Sequence, residues 1–257
     1  MALTLVSWNL KGNKGVDTRR VVDHVVAAAA DVVVLQEVQR RQARAIARGL
    51  GAVSQRWGFK HWPIRTWPEG MAVIGVTRPA PARTQAITRR WALWSWRRRI
   101  LQVARVRLGA AGSDRGGPVV TLVNVHLSPW DAAATRAVEA ATVVRIVARR
   151  KRPAVIAGDL NDRPGADALA RLQEAGLRDV WAQLRGDDEG ATNWRGWVAG
   201  TPRAPTQRLD YVLVGDGLEP VAVSVPRHGD ADFPPYAAIS DHLPITATIA
   251  ATGRTVP

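Results

Sequence analysis

Met71-Ala-Val-Ile-Gly-Val76, Ile100-Leu-Gln-Val-Ala-Arg-Val-Arg-Leu108 and Val119-Val-Thr-Leu-Val-Asn-Val125 are β-branched runs that follow one another with no helical period between them. Strands in direct succession argue against a sheet built purely of βαβ crossovers, because parallel neighbours need a long connection, usually a helix. Outward from this stretch the pattern changes. Further strand-like runs cover Leu3–Trp8, Val32–Leu35, Ala154–Ala157, Leu209–Val214, Val221–Val225 and Leu243–Ile249. Helical spacing covers Val16–Ala30, with Val22, Val25, Val26 and Ala29 on one face, and Trp130–Arg150, with Val143, Ile146 and Val147 inward. Gln39–Leu50 is charged and Ala-rich and ends at Gly51; Gly165–Glu174 ends at Gly176. The mixture implies an α+β protein with a mixed sheet, or two packed sheets, and helices outside.

The 257 residues suffice for one large domain or two small ones. The chain has no Cys, which excludes disulfides, thiolate metal sites and a cysteine nucleophile together. Its net charge of +14 favours acidic partners, nucleic acid first and an anionic membrane surface second. No obligate protein partner is inferred. Residues 1–128 hold 21 basic and 6 acidic side chains; residues 129–257 hold 15 and 16. Coding bias explains why 32 of the 36 cations are Arg, but not this asymmetry. No stretch approaches the ~20 apolar residues of a membrane span. The chain opens as a strand, without a basic, apolar leader, so a cytoplasmic protein is expected.

Polar residues cluster where the strand runs end or begin. Asn9 closes the first run, Gln36-Glu37 the second, His126 a third and Asp159-Leu-Asn161 a fourth, while Asp210 and Asp241-His242 open two more. One such residue is ordinarily a turn or helix cap. Six together suggest metal-assisted attack of water on a phosphoester, which needs a hard cation on oxygen ligands, a base, and donors to the phosphoryl oxygens. Glu37, Asp241 and Asn9 suit Mg²⁺, with Mn²⁺ as the other cation. Asp159 can orient and deprotonate water. Asn161 points to the same side if the segment is extended. His126 and His242 can donate to phosphate, and Asp210 can hold one imidazole tautomer.

Ser7-Trp8-Asn9, Leu35-Gln36-Glu37-Val38, Asn124-Val125-His126, Gly158-Asp159-Leu160-Asn161, Leu209-Asp210-Tyr211 and Ser240-Asp241-His242-Leu243-Pro244, in that order, resemble the endonuclease/exonuclease/phosphatase superfamily. That superfamily includes DNase I, abasic-site endonucleases, bacterial sphingomyelinases and inositol polyphosphate 5-phosphatases. The resemblance implies a four-layer αββα sandwich, one domain over residues 1–257 with its core in 3–250. It implies Glu37 as the main metal ligand with Asn9 and Asp241 nearby, Asp159 and Asn161 at the nucleophile, and Asp210 with His242 as a carboxylate–imidazole pair. His126 contacts the scissile phosphate or serves as second imidazole, with Glu69 as its candidate partner acid. Lys11 stands where abasic-site endonucleases carry an acid, so a second metal is not expected there; it can meet a phosphate. Tyr211 and Val212 after Asp210 depart from the inositol phosphatase signature. The expected function is a DNase I-like nuclease. A sphingomyelinase-like phosphodiesterase and a non-catalytic nucleic-acid-binding protein are the alternatives.

Trp57, Trp62, Trp67, Trp91, Trp94 and Trp96 crowd one region, and Arg97, Arg98 and Arg99 follow directly. Arg forks hold phosphates and exposed Trp stacks on bases or sits among lipid headgroups; packing on one face of a hairpin is the alternative. This region is expected to flank the cleft as a substrate-binding lobe, with Trp194 near the substrate.

Overall fold

The computed structural model describes residues 2–12, 15–59, 69–88, 99–109, 117–129, 132–186, 188, 190–194, 203–230 and 233–252. Two six-stranded sheets make its centre. The first runs β11 (Leu218–Ser224), β12 (Ile245–Ala251), β1 (Ala2–Asn9), β2 (Val32–Gln39), β4 (Glu69–Gly75), β3 (Ser54–Phe59). The second runs β5 (Ala82–Ala86), β6 (Ile100–Arg107), β7 (Val119–His126), β8 (Ala154–Asp159), β10 (Asp210–Val214), β9 (Arg178–Asp179). Each sheet has one parallel pair at its middle, β1 with β2 and β7 with β8. The crossovers are α1 (Thr18–Ala27) and α3 (Ala133–Ala148). The other pairings are antiparallel.

The period of two along each strand sorts side chains into layers. Leu3 and Leu5 of β1 and Val32 and Val34 of β2 face Leu122, Val155 and Ala157 of the other sheet. Val6, Trp8, Val33 and Leu35 face Val21 and Val25 of α1 and Ala43 and Ile46 of α2 (Arg40–Gly49). Val123, Val125 and Ile156 face Val143 and Ile146 of α3 and Leu169 and Leu172 of α4 (Asp167–Glu174). The outcome is the four-layer αββα sandwich. Strands covered on both faces read as unbroken apolar runs, which is why the parallel pairs are visible in the sequence.

Three strands escape sequence reading: β3, β5 and β9, each at the edge of its sheet. β3 is half-buried and β5 mostly exposed, so no apolar alternation marks them. Two short helices, α5 (Val180–Arg185) and α6 (Pro234–Ile239), are likewise unmarked. The buried face of α1 also differs from the expected one. It turns Val21 and Val25 inward and leaves Val26 63% exposed.

The sheets are joined by more than apolar contact. Asn124 of β7, fully buried, donates through Nδ2 to the backbone oxygens of Leu35 and Ala72, each 3.1 Å away in the opposite sheet, and to Gln102 Oε1 at 3.2 Å. Two protons thus serve three acceptors. Asn124 Oδ1 accepts from Gln36 Nε2 at 2.8 Å, which also donates to Ser7 Oγ at 3.3 Å. Asn124→Leu removes a donor and an acceptor that bridge the sheets and strands their buried partners. Chemical denaturation is expected to show a loss of about 3 kcal/mol or more; a loss below about 1 kcal/mol contradicts the role given to this network.

Candidate active site

Both parallel pairs end at the same edge of the sandwich, so Asn9 and Glu37 meet His126 and Asp159 there. β10 runs antiparallel to β8 with Asp210 opposite Asp159, and the segment entering β12 carries Asp241 and His242 past the end of β1. A cleft of about 770 Å³ is lined by Asn9, Glu37, His126, Asp159, Asp241 and His242, among others. Sequence positions 9 to 242 are thereby gathered into one place.

Asp159 is the centre. Its Oδ2 accepts from Asn9 Nδ2 at 3.0 Å and Asn161 Nδ2 at 3.3 Å; His126 Nε2 lies 3.6 Å away and His242 Nε2 3.8 Å away. Its Oδ1 accepts from the Asn161 backbone N–H at 2.7 Å. Burial is the largest influence on this carboxyl and pushes it up to about 7; His242 opposes the rise and the Asp210 charge adds to it. Asn161 arrives by a route different from the expected extended one. Its φ is +51°, and a tight turn folds it back onto Asp159.

His242 is held on several sides. Nδ1 bonds Asp210 Oδ2 at 2.7 Å, its backbone N–H donates to Ser240 Oγ at 3.1 Å, and its carbonyl accepts from Trp8 Nε1 at 2.8 Å. Burial, the largest influence, disfavours the imidazolium. The Asp210 and Asp159 charges and the Nδ1 bond outweigh burial and raise His242 to about 10.

Glu37 stands across the cleft at a β-bulge, where the pairing of β2 with β4 shifts between Leu35 and Val38. Its φ is +49°, an uncommon conformation for a residue with a Cβ. Lys11, Glu37 and Asn161 are three of the five non-glycine residues with positive φ among the described residues, so backbone strain concentrates at this cleft. The Glu37 side chain is 24% exposed; among the described residues it lies 3.7 Å from His126 Nε2 and acts electrostatically on Arg99, and no donor hydrogen-bonds it.

The expected metal set is only partly free. Asp241 is ion-paired with Lys11 Nζ, and Asn9 Oδ1 already accepts the Lys11 N–H at 3.1 Å. The tightest carboxylate–imidazole group among the described residues is Asp159, Asp210 and His242, with ligand atoms within 4.8 Å of one another. These three are committed to proton-holding contacts. The oxygen donor with room for a hard cation is the Glu37 carboxylate.

Arg97 and Arg98 lie outside the described residues, as do Trp62, Trp67, Trp91, Trp94 and Trp96. Arg99 does not belong to an outer lobe. It is 5% exposed in the cleft wall, coupled first to Glu37 and then to Glu139 and Asp159, and its Nε and Nη1 have no hydrogen-bond partner among the described residues. Burial lowers its pKa and those acids raise it. Glu69 is buried at the start of β4, opposite Gln39, and adds to the field on Arg99. Trp194 lines the cleft while packing on Phe233 in the core.

Sequence reading missed Glu139, which accepts from the Ser128 N–H at 2.8 Å and Ser128 Oγ at 2.9 Å and so ties α3 to the segment after His126. It missed the Arg136–Asp162 ion pair at the cleft rim. The available signal was position: Arg136 and Glu139 lie on the face of α3 that buries Ala140, Val143 and Ile146.

Two packed sheets with one polar site across their ends define the DNase I-like class of sandwich. The chain belongs to the endonuclease/exonuclease/phosphatase family, whose model matches residues 6–242. D. rerio TDP2, solved "complexed with single strand DNA product", is similar at 17% identity, with 97% of this chain and 99% of that one covered and a TM-score of 0.73. A family protein from Leptotrichia buccalis is similar at 16%, with 96% and 99% covered and a TM-score of 0.75. One from Beutenbergia cavernae is similar at 24%, with 98% and 72% covered and a TM-score of 0.71. No curated protein matches the chain. At these identities the structures establish the fold. No helix among the described residues is long and apolar enough to cross a membrane.

The raised Asp159 and His242 act on stability in one direction. Between 3.8 and about 7 for Asp159, and between 6.5 and about 10 for His242, the folded chain binds more protons than the unfolded one. Their contribution therefore falls as pH rises through those windows. In chelator, NMR of the His242 ring should show an imidazolium at pH 8 that loses its proton near pH 10, and the melting temperature should decline from pH 7 to 10. A ring titrating near 6.5 contradicts the Asp210 coupling.

Proposed function

We propose that the protein is a divalent-cation-dependent phosphodiester hydrolase acting on nucleic acid. The observation that carries this reading is the convergence of two imidazole Nε2 atoms on Asp159 Oδ2, at 3.6 and 3.8 Å, with Glu37 across the cleft. Asp159, pushed up to about 7, is a base poised for neutral pH. It orients a water in line with the leaving oxygen and takes its proton as the new O–P bond forms and the bond to the leaving oxygen breaks; the leaving oxygen departs with that electron pair and takes a proton from solvent. Asn9 and Asn161 hold the carboxylate in place. His242, kept charged by Asp210, donates Nε2–H to a phosphoryl oxygen as negative charge builds there. His126 borders the same position, and the Arg99 guanidinium adds positive charge from the cleft wall. Glu37 would hold Mg²⁺ or Mn²⁺, with Asp241 and Asn9 nearby; the cation would supply Lewis-acid stabilisation of the phosphoryl charge.

The nucleic-acid substrate is supported by the family, by the DNA product in the similar D. rerio TDP2 structure and by the charge of +14. The lipid alternative rests on six Trp residues of which five lie outside the described ones, and the sixth, Trp57, is held in β3 with its Nε1 bonded to Val38 O.

A panel of plasmid, single-stranded DNA, RNA, sphingomyelin and a small diester, each with Mg²⁺, Mn²⁺ and chelator, tests the proposal. Cleavage of a nucleic acid that stops in chelator is expected. Glu37→Ala and His242→Ala should each lower kcat by about 10²-fold or more with the melting curve preserved. Unchanged turnover in either variant would falsify the assignment of that residue, and hydrolysis of sphingomyelin alone would replace the substrate class.

A further inference from the structure

α2 starts three residues after Glu37, at the mouth of the cleft, and runs away from it along the outside of the first sheet. Its first turn is tied to the Lys11 loop, since Gln39 Nε2 and Gln42 Nε2 both donate to Gly12 O, at 3.0 and 2.9 Å. Gln42, Ala43, Ile46 and Ala47 are buried. The outer face is Arg40, Arg41, Arg44 and Arg48, all exposed. None of the four has an ion pair among the described residues, and α2 contains no acid.

This arrangement works against the helix. Arg40–Arg44 and Arg44–Arg48 are like-charge pairs four residues apart. Arg40 and Arg41 stand in the first turn, at the positive end of the helix dipole, where acids are favoured. A polyanion alongside relieves both repulsions. The row Arg40, Arg44, Arg48 rises about 12 Å, the axial length of three to four base steps along one strand. α2 exposes no large apolar side chain, which separates it from helices that insert into lipid.

We propose that α2 is a rail for the sugar–phosphate backbone of the substrate beyond the scissile bond, with Arg40, Arg44 and Arg48 contacting phosphates spread over about three to four base steps of one strand. The proposal rests on the nucleic-acid reading above. It moves the main flanking contact from the Arg97–Arg99 region to a helix attached directly to the Glu37 strand.

The test is binding of a fluorescent duplex DNA of about 30 base pairs in chelator, from 50 to 300 mM salt, beside turnover of plasmid and of a small diester with cation present. In Arg40→Gln/Arg44→Gln/Arg48→Gln the slope of log K against log salt should shrink by about two to three, and the ratio of plasmid to small-diester turnover should fall about tenfold or more. The matching triple Lys variant should keep the slope, and Arg44→Gln alone, which guards against a fold defect in the triple, should lose about one. Arg149→Gln/Arg150→Gln/Arg152→Gln, at the far end of α3, should leave the slope near native. A Gln triple within about 0.5 of the native slope overturns the rail, as does an equal fall in both triples or an equal loss on the small diester. Native protein that binds no DNA but cleaves RNA or a small diester removes the duplex rail while leaving the hydrolase reading standing.

Discussion

The sandwich depends on one buried amide. Asn124 lies between two sheets whose facing surfaces are mainly apolar, and it bonds two backbone oxygens of the opposite sheet. Apolar packing between sheets is non-directional and tolerates small slides. A buried donor with fixed acceptors does not, since an offset of one residue leaves several polar groups unmet. The network including Ser7, Gln36 and Gln102 therefore sets how far one sheet sits along the other. Asn9 can then bond Asp159 at 3.0 Å and Glu37 face His126 at 3.7 Å, because Ser7 and Gln36 lie two and one residues before Asn9 and Glu37, and Asn124 two before His126.

The site above this lock balances opposing electrostatics. Buried acids near one another would ordinarily neutralise, and Asp159 does move toward neutrality. Asp210 bonds His242 Nδ1, and its charge helps that imidazole keep its proton. Arg99, buried among Glu37, Glu139 and Asp159, balances the remaining charge from the second sheet. Strain at Lys11, Glu37 and Asn161 is stored in the same few ångströms, held by the rigid strands behind it.

Most of the candidate site is legible in the sequence because its residues occupy strand termini, where a polar residue breaks a β-branched run. Asn9, Glu37, His126, Asp159 and Asp210 are visible for that reason, and Asp241 and His242 stand just before such a run. Edge strands β3 and β5 were not visible, since a half-solvated strand need not alternate. Arg99 reads as part of a surface cluster with Arg97 and Arg98, because local sequence does not reveal on which side of a sheet a cation next to a strand will lie. Glu139 and Arg136 read as ordinary helix surface; only the packing of α3 over β7 and β8 turns them inward.

By itself the sequence determined the class of fold and the identities of the chemical groups, since hydrophobic periodicity and residue type are local properties. The tertiary structure decided which of those groups are already committed. Lys11 is paired to Asp241, Asn9 to Asp159 and the Lys11 amide, and Asp210 to His242, which leaves the Glu37 carboxylate open. It also decided that four arginines of α2 stand exposed, with no ion pair among the described residues, on the helix that follows Glu37. Pairing and burial depend on distances between residues such as Trp8 and His242, 234 positions apart in the chain, and these distances are set only when the two sheets close on each other.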